Sequence, residues 1–584
     1  MQLLDDLNKQ QRQAATAGAG PVLIVAGPGT GKTKTLTARI AYLLTAGHAN
    51  PAEIMALTFT AKAAREMRQR LAALLGSSGA TLPPIMTFHA FGHDLLKGHG
   101  AIKTLVSEQQ RSDIIRSLTK PAAFKGLHSR ELSLLISQAK TMLEPPDDEP
   151  VRQLLAVYQA ALAAQDLHDF DDLLCQAYDL LRHTPTNRPS YTHVLVDEFQ
   201  DTNELQYELL KLLAPGRNVF AIGDPNQSIY AFRGAGVEMF DRFRRDFPDL
   251  QAVDLTVNYR SLPEIITLAN AVFPNSPQLI PHHIAPGSVQ ALQTLNEYSE
   301  AAYIIGEIEK GIGGSDFLHV HADEETAGQP RDYAVLYRTH RAAKTVQKAF
   351  AEAGIPYQIA GEDSPYERPA MQAIVAGLRF LHDPAQADLP GLKNLKQSQV
   401  QALLADLAIA DGTKVCDTAA ALAERLAIED EPHLPQFLGM LVQFGAGKIG
   451  LAAAVKHLDH MSESDFYDPS INAVALLTIH ASKGLEFEHV FLCASEETIL
   501  PKLNKKGEGN LAEERRLFYV AATRAKRRLT VLYAKTRAGE PAKPSRFITE
   551  LPAATLPRNL DPSMAMLEKR LRKRTSKRAQ TSLF

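Results

Sequence analysis

The stretch Pro21-Val22-Leu23-Ile24-Val25-Ala26-Gly27-Pro28-Gly29-Thr30-Gly31-Lys32-Thr33 decides the fold. It opens as an apolar, β-branched run over Pro21–Ala26, halts at a glycine-rich turn, and continues with helical character through Thr33–Leu44. A strand that delivers such a turn to a helix N-terminus aims backbone N–H groups at phosphate oxygens and adds the positive end of the helix. Within Gly27-Pro28-Gly29-Thr30-Gly31, the glycines supply the turn; Lys32 then reaches the β- and γ-phosphates of ATP and Thr33 holds Mg²⁺. Ala26 stands where such loops usually carry their first glycine, a place where a small side chain is tolerated more readily than at Gly31.

Outward from this loop, Ile54–Phe59, Thr192–Val196 and Val219–Ile222 are further short apolar runs, each ending in polar residues with helical stretches between. That is how a largely parallel sheet covered by helices reads, with polar sites at its strand ends. Phe91 to about Asp169 lacks comparable strands and reads as a helical insertion. A second set follows at Tyr333–Tyr337, Ala473–Thr478, Val490–Leu492 and Leu529–Tyr533, itself split by a helical stretch over roughly Leu378–Pro469. The expected fold class is α/β, with two parallel-sheet domains, each interrupted by a helical insertion. The expected boundaries are 1–88 and 170–262 for the first core, 89–169 for its insertion, 263–377 and 472–551 for the second core, 378–471 for a reduced insertion, and 552–584 for a basic tail.

Val194-Leu195-Val196-Asp197-Glu198 supplies the partner of the phosphate loop. A buried strand delivers both acids at its polar tip, Asp197 suited to Mg²⁺ through water and Glu198 to accept a proton from the attacking water. Gly223-Asp224-Pro225-Asn226-Gln227 ends another strand, placing Gln227 to contact both water and γ-phosphate. Arg260 and Arg524 offer positive charge, the second from the distant α/β set; ATP lying between two cores makes closure depend on the intact triphosphate. An isolated arginine is more often a surface ion pair, and only the surrounding pattern reverses that.

The 584-residue chain is 45% hydrophobic and 22% charged, with a formal net charge of -3, so global charge advertises no nucleic-acid partner and any positive surface must be local. Cys175, Cys416 and Cys493 stand far apart and build neither a disulfide framework nor a zinc pair, which fits a reducing, cytoplasmic compartment. No long apolar run or signal peptide is apparent, so no membrane partner is expected.

Read together, the segments resemble the superfamily 1A DNA helicases of the UvrD/Rep/PcrA family, in order and across nearly the whole chain. The residues that carry this are Leu7-Asn8-Lys9-Gln10-Gln11-Arg12, the phosphate loop, Thr58-Phe59-Thr60-Ala61-Lys62, Thr87-Phe88-His89, Asp197-Glu198-Phe199-Gln200-Asp201, Gly223–Tyr230 and Asn258-Tyr259-Arg260-Ser261. The second half adds Val335-Leu336-Tyr337-Arg338, Thr478–Phe487 and Glu513–Ala525. The resemblance implies two RecA-like motor domains and travel from 3′ to 5′ on single-stranded DNA. It makes Gln11 the base-contacting glutamine, stacks Tyr259 on adenine, sets Glu486 on the ribose, and sends Arg260 and Arg524 to the γ-phosphate. Where the family carries an arginine after the phosphate loop, this chain has Lys34, which keeps charge but loses the planar fork.

A motor indifferent to sequence holds sugar-phosphate through polar groups and bases through stacking. Phe59, Phe88, Tyr230 and Phe232 follow or flank strand ends that can display them toward a DNA groove; by the family pattern Phe59, Tyr230 and Phe232 meet bases, and His89 and His480 touch the backbone. Phe232 stands where relatives carry Trp, losing area and the indole N–H. Two further departures bear on unwinding: the second insertion is short, and Thr536–Lys543, where relatives place a strand-separating hairpin often tipped by an aromatic, lacks one.

The tail is crowded with Lys569, Arg570, Arg572, Lys573, Arg574, Lys577 and Arg578, a tract suited to phosphate backbone or simply to solubility. Its ending, Gln580-Thr581-Ser582-Leu583-Phe584, is similar to the short peptide by which bacterial replication and repair proteins dock on the sliding clamp, with Gln580 hydrogen-bonding and Leu583 and Phe584 filling an apolar pocket. The expected function is an ATP-dependent 3′ to 5′ helicase of repair or replication restart, acting at single-strand/duplex junctions and associated with the nucleoid when on DNA. The alternatives are a translocase that clears bound proteins and, in another class, an inactive DNA-binding scaffold.

Overall fold

The computed structural model describes residues 4–561 apart from 77–80, 107, 119–128, 190, 215, 217, 314–327, 361–368, 383–414, 505 and most of 432–466. The chain divides into two compact units, the first comprising residues up to 261 with 273–284, the second 262–272 with everything from 285 onward.

In the first unit, β1 (Val22–Ala26), β2 (Ile54–Thr58), β3 (Ile85–Thr87), β4 (His193–Val196), β5 (Val219–Gly223) and β6 (Gln251–Leu255) form one sheet in the order β3-β2-β4-β5-β1-β6. Every pairing in it is parallel. The strands read as unbroken apolar runs because both faces are covered: Val22 and Ile24 join one apolar cluster, with Ala56, Leu195 and Phe220, while Leu23 joins another, with Leu57, Val196 and Ala221. Parallel pairing also brings the C-terminal ends of β1, β4 and β5 to one edge, so the phosphate loop, Asp197 and Asp224 arrive together.

The first insertion contains the helices Glu108–Leu118, Ser129–Thr141 and Glu149–Ala163 around Ile115, Leu132, Ile136, Leu154 and Tyr158. It is not wholly helical as expected. Thr104–Leu105 and Leu167–His168 pair as a short parallel ladder at its base, each strand too brief for periodicity to register.

The second unit contains β7 (Ser288–Thr294), β8 (Tyr333–Tyr337), β9 (Tyr357–Ala360), β10 (Val474–Thr478), β11 (Phe487–Leu492), β12 (Ala525–Ala534), β13 (Thr536–Arg537), β14 (Glu540–Pro541) and β15 (Arg558–Leu560). Its main sheet runs β9-β10-β8-β11-β12-β7-β15, again parallel throughout. β13 and β14 form a separate antiparallel hairpin.

Two boundaries shift. The segment expected to open a tail at residue 552 instead completes the fold: Leu556 is fully buried and β15 adds to the sheet edge beside β7. The second insertion, expected from residue 378, has its first described helix at Pro369–His382, packed with Val415–Arg425 through Met371, Ile374, Leu378 and Leu422. Most of that insertion lies outside the described residues, as do the basic tract and Gln580, Leu583 and Phe584. Among the described residues no helix is long and apolar enough to cross a membrane.

Candidate nucleotide and nucleic-acid site

The phosphate loop leaves β1 and turns into the helix Lys32–Thr45 through Gly29 at φ 67° and Gly31 at φ 84°, conformations that favour glycine. Space demands glycine as well: a Cβ at Gly29 would stand 2.6 Å from Arg260 Cβ and 2.7 Å from Asn258 Nδ2, and one at Gly31 2.6 Å from Gln11 Nε2. The loop is held by Thr30 Oγ1 donating to the Gly27 carbonyl (2.8 Å), Gln11 Nε2 to the Thr30 carbonyl (2.8 Å) and Asn258 Nδ2 to the Pro28 carbonyl (2.6 Å). Lys32 Nζ folds over the loop, 3.2 Å from the Ala26 carbonyl and 3.3 Å from that of Gly27. Thr33 follows in the first turn of the helix. A glycine cradle at a helix N-terminus, with an ammonium above it, fits a polyphosphate.

Asp197 is buried at the tip of β4, and its carboxyl is pushed up to about 7, first by burial and then by Glu198, against the pull of Lys32. Glu198 sits at φ 51°, a left-handed conformation costly for a side-chain-bearing residue, which turns it off the strand axis beside Asp197. Its carboxylate accepts from Gln200 Nε2. Gln200 Oε1 in turn accepts the Asp224 N–H (2.9 Å), and Asp224 Oδ2 accepts from Gln227 Nε2 (2.7 Å). Burial raises the Asp224 carboxyl, with Lys32 opposing. Gly223 makes room for this chain, since a Cβ there would lie 2.4 Å from Gln200 Oε1. Gln227 is buried and is joined through Asp224 and Gln200 to the proposed proton acceptor.

Gln11 caps its own helix, Lys9–Ala15, in a box with Asn8, and Asn8 Nδ2 donates to Tyr259 Oη (2.9 Å). Tyr259 is 37% exposed, with the His282 ring 4.6 Å away and tilted, and His283 Nε2 2.9 Å from its backbone carbonyl. Lys34 is exposed and donates to the Asp6 carbonyl (2.7 Å), a different errand from stacking on a base. Arg260 is half-buried; Asn258 Oδ1 accepts the N–H groups of both Arg260 and Ser261.

In the second unit, Arg524 is 1% exposed. Its guanidinium donates to the carbonyls of Val520 and Leu485 (3.0 Å each) and to Thr523 Oγ1 (3.3 Å), which fixes the plane of the fork. Glu486 is exposed and pairs with Lys526 at 3.1 Å. His480 follows β10 and is half-buried.

On the first unit, Phe59 emerges from β2 and stacks on Tyr230 with centroids 5.1 Å apart and planes 20° from parallel; Phe232 meets Tyr230 edge-on at 5.8 Å. The expected role of Phe88 does not hold. Its ring is 4% exposed within the cluster that contains Phe91, Leu174 and Leu181, so no base reaches its face. His89, next along, turns outward and stacks at 4.0 Å on Phe170, which is 41% exposed.

The UvrD/REP helicase N-terminal domain matches residues 7–248, and the UvrD-like helicase C-terminal domain matches 253–391 and 448–536. The chain belongs to the UvrD/REP helicase family. It is 30% identical to DNA helicase II of Escherichia coli (strain K12), over 94% of this chain and 88% of that protein. It is also 30% identical to the ATP-dependent DNA helicase PcrA of Leuconostoc citreum (94% and 85% covered) and 31% identical to UvrD1 of Mycobacterium tuberculosis (strain ATCC 25618 / H37Rv; 94% and 86%).

Within that family frame, sequence reasoning missed Gln200, Asn258 and Asp224 as parts of the site. Each is a buried polar residue that hydrogen-bonds both within its own turn and to another segment, visible in sequence only as a polar residue in or beside a recognised motif. For metal, Thr33 and Asp197 fit an oxygen-seeking divalent ion. Among the described residues no group of three or more His, Cys, Asp or Glu gathers to hold a metal, so such an ion would draw ligands from the nucleotide as well.

Proposed function

We propose that this family member is an ATP-dependent DNA helicase that moves 3′ to 5′ on single-stranded DNA and unwinds duplex DNA, in repair or replication restart. The observation that carries the reading is the buried relay Glu198–Gln200–Asp224–Gln227, which runs into the turn that carries Tyr230. Ser228 Oγ adds a tie to the Gln200 carbonyl (3.1 Å). The groups that attend the γ-phosphate and the ring that grips a base therefore share one short, rigid segment, so a shift at one end moves the other.

Lys32 and Arg260 neutralise charge on the transferring phosphoryl group, Arg524 has the γ-phosphate role that the family resemblance implies, and Glu198 takes the proton of the attacking water. Thr33 and Asp197 would hold a divalent ion such as Mg²⁺, which would supply charge neutralisation when bound. Gln11 and Tyr259 select the adenine, and Glu486 the ribose. Phe59, Tyr230 and Phe232 stack on bases, while His89 and His480 touch the backbone. Gln580, Leu583 and Phe584 dock on the sliding clamp; deleting Gln580–Phe584 abolishes clamp binding, and unchanged affinity would refute that part.

A second reading, a translocase that clears bound proteins and unwinds weakly, is favoured by the hairpin tip Ala538-Gly539, which carries no aromatic ring. Single-turnover unwinding of 3′-tailed, 5′-tailed and forked duplexes, beside translocation on single strands, separates the two. Unwinding confined to 3′-tailed and forked substrates supports the helicase. Translocation without strand separation supports the alternative, and preference for the 5′ tail overturns the polarity.

A further inference from the structure

Between the helix Pro263–Val272 and β7 the chain comes back to the first unit: residues 262–272 and those from 285 onward belong to the second, Phe273–Ile284 to the first. This strap is mostly irregular, yet it is pinned at successive points along the nucleotide site. Asn226, in the turn that carries Gln227, donates from Nδ2 to Ser276 Oγ (2.9 Å), which donates back to Asn226 Oδ1 (3.2 Å). Leu279, 7% exposed, covers Gly27 of the phosphate loop, where a Cβ would stand 2.5 Å from Leu279 Cδ2. Ile280–Pro281 then pairs in parallel with Val257–Asn258: Ile280 N–H donates to the Thr256 carbonyl (2.9 Å) and His282 N–H to that of Asn258 (2.8 Å).

The strap ends against Tyr259. The His282 ring stands 4.6 Å from the tyrosine ring and 42° from parallel, His283 meets His282 edge-on at 5.5 Å, and His283 Nε2 donates to the Tyr259 carbonyl (2.9 Å). Tyr259 has two further ties: its N–H donates to the Gly29 carbonyl (2.9 Å), and its Oη accepts from Asn8 Nδ2 (2.9 Å). Neither tie sets the plane of the ring. Rotation about Cβ–Cγ is soft for an aromatic side chain, and Oη lies on that axis, so a bond to Oη leaves the rotation free. A side chain packed on the ring restrains it, and His282 is so placed. The plane matters because stacking on a base is a contact between faces.

We propose that His282 is a positioning residue for nucleotide binding, setting the plane of the Tyr259 ring so that it meets the base face-on. The inference rests on the reading above that Tyr259 takes the adenine. The strap holds His282 in register with the phosphate loop through Leu279 and with the Gln227 turn through Ser276.

The test measures the affinity of the full chain for ADP, which is not hydrolysed, and for inorganic pyrophosphate, which lacks the base. The parent is compared with H282A, H282F, Y259A and the double variant of H282A with Y259A. H282A weakens ADP binding about 2- to 13-fold, the worth of one aromatic contact, and leaves pyrophosphate binding unchanged. H282F keeps the affinity for ADP. Because His282 acts through Tyr259, adding H282A to Y259A brings no further loss. Parental ADP affinity in H282A overturns the positioning role, as do an equal loss for pyrophosphate, an H282F as weak as H282A, or losses that add in the double variant. A Y259A that binds ADP as the parent does refutes the reading of Tyr259, and the role of His282 falls with it. A weakened Y259A beside an unaltered H282A leaves that reading standing and overturns the positioning role alone.

Discussion

Replacing Arg537 by methionine removes a guanidinium that bridges two carboxylates inside the second unit. Arg537 is 14% exposed, and its partners Glu300 and Glu496 are 0% and 1% exposed. Methionine has similar length and fills the space, so the cost is electrostatic: both carboxylates lose their counter-charge in a medium that solvates them poorly. Breaking a buried pair by removing one partner costs about 3–5 kcal/mol. For a unit of this size that lowers Tm by about 5–8 °C. The pH dependence tests the cause. Glu300 already stands at about 7 against its ordinary 4.5, because burial and Glu496 outweigh Arg537. Without Arg537 its carboxyl moves higher still, so between about pH 8 and about pH 7 the folded variant already holds a proton that the folded parent has yet to take up and the unfolded chain lacks. A group that binds protons more tightly when folded gains stability as pH falls, by up to about 1.4 kcal/mol per pH unit for each proton taken up. The deficit of R537M relative to the parent, measured by thermal unfolding, is therefore largest near pH 8 and shrinks toward pH 6. A deficit equal at both pH values, or no deficit at all, would refute the reasoning.

Glu198→Gln leaves nucleotide affinity within about threefold of the parent and lowers kcat at least about 100-fold, since binding uses the loop and hydrolysis the carboxylate; a near-normal turnover sinks the proton-acceptor role. Because the Asp197 carboxyl titrates at about 7, a divalent ion must displace its proton in more acidic solution. Half-saturating Mg²⁺ for ATP hydrolysis accordingly rises about tenfold for each pH unit below that value, and a flat dependence counts against Asp197 as ligand. Phe59→Ala weakens single-strand affinity about 5- to 100-fold with nucleotide affinity unchanged, whereas equal losses in both measurements would show that the ring serves folding.

The phosphate loop was legible because a strand buried on both faces reads as one apolar run, and because Lys32 and Thr33 at a glycine turn have few other uses. Asp197 and Glu198 were legible for the same reason at the end of β4. Gln200 was not: its place depends on the missing Cβ of Gly223, which is a contact between two strands rather than a local pattern. Phe88 misled because aromatics beside a motif look alike in sequence; the helix beginning at Phe88 turns that ring inward and His89 outward. β15 was hidden by its place at a sheet edge, where Arg558-Asn559-Leu560 needs only one neighbour and no apolar run. The roles of Tyr259 and Glu486 came through resemblance alone, for nothing in their spacing names a ligand.

The stack of Phe59 on Tyr230 means that neither ring waits with both faces wet. If Phe59 and Tyr230 take a base as proposed, that base competes with an interaction the protein already makes, worth about 0.5–1.5 kcal/mol for such a pair. Part of each new grip is thus spent separating the rings, and part of each release is returned when they close again. On the motor reading proposed above, a chain with this closed stack releases single-stranded DNA more readily than one whose rings stand apart.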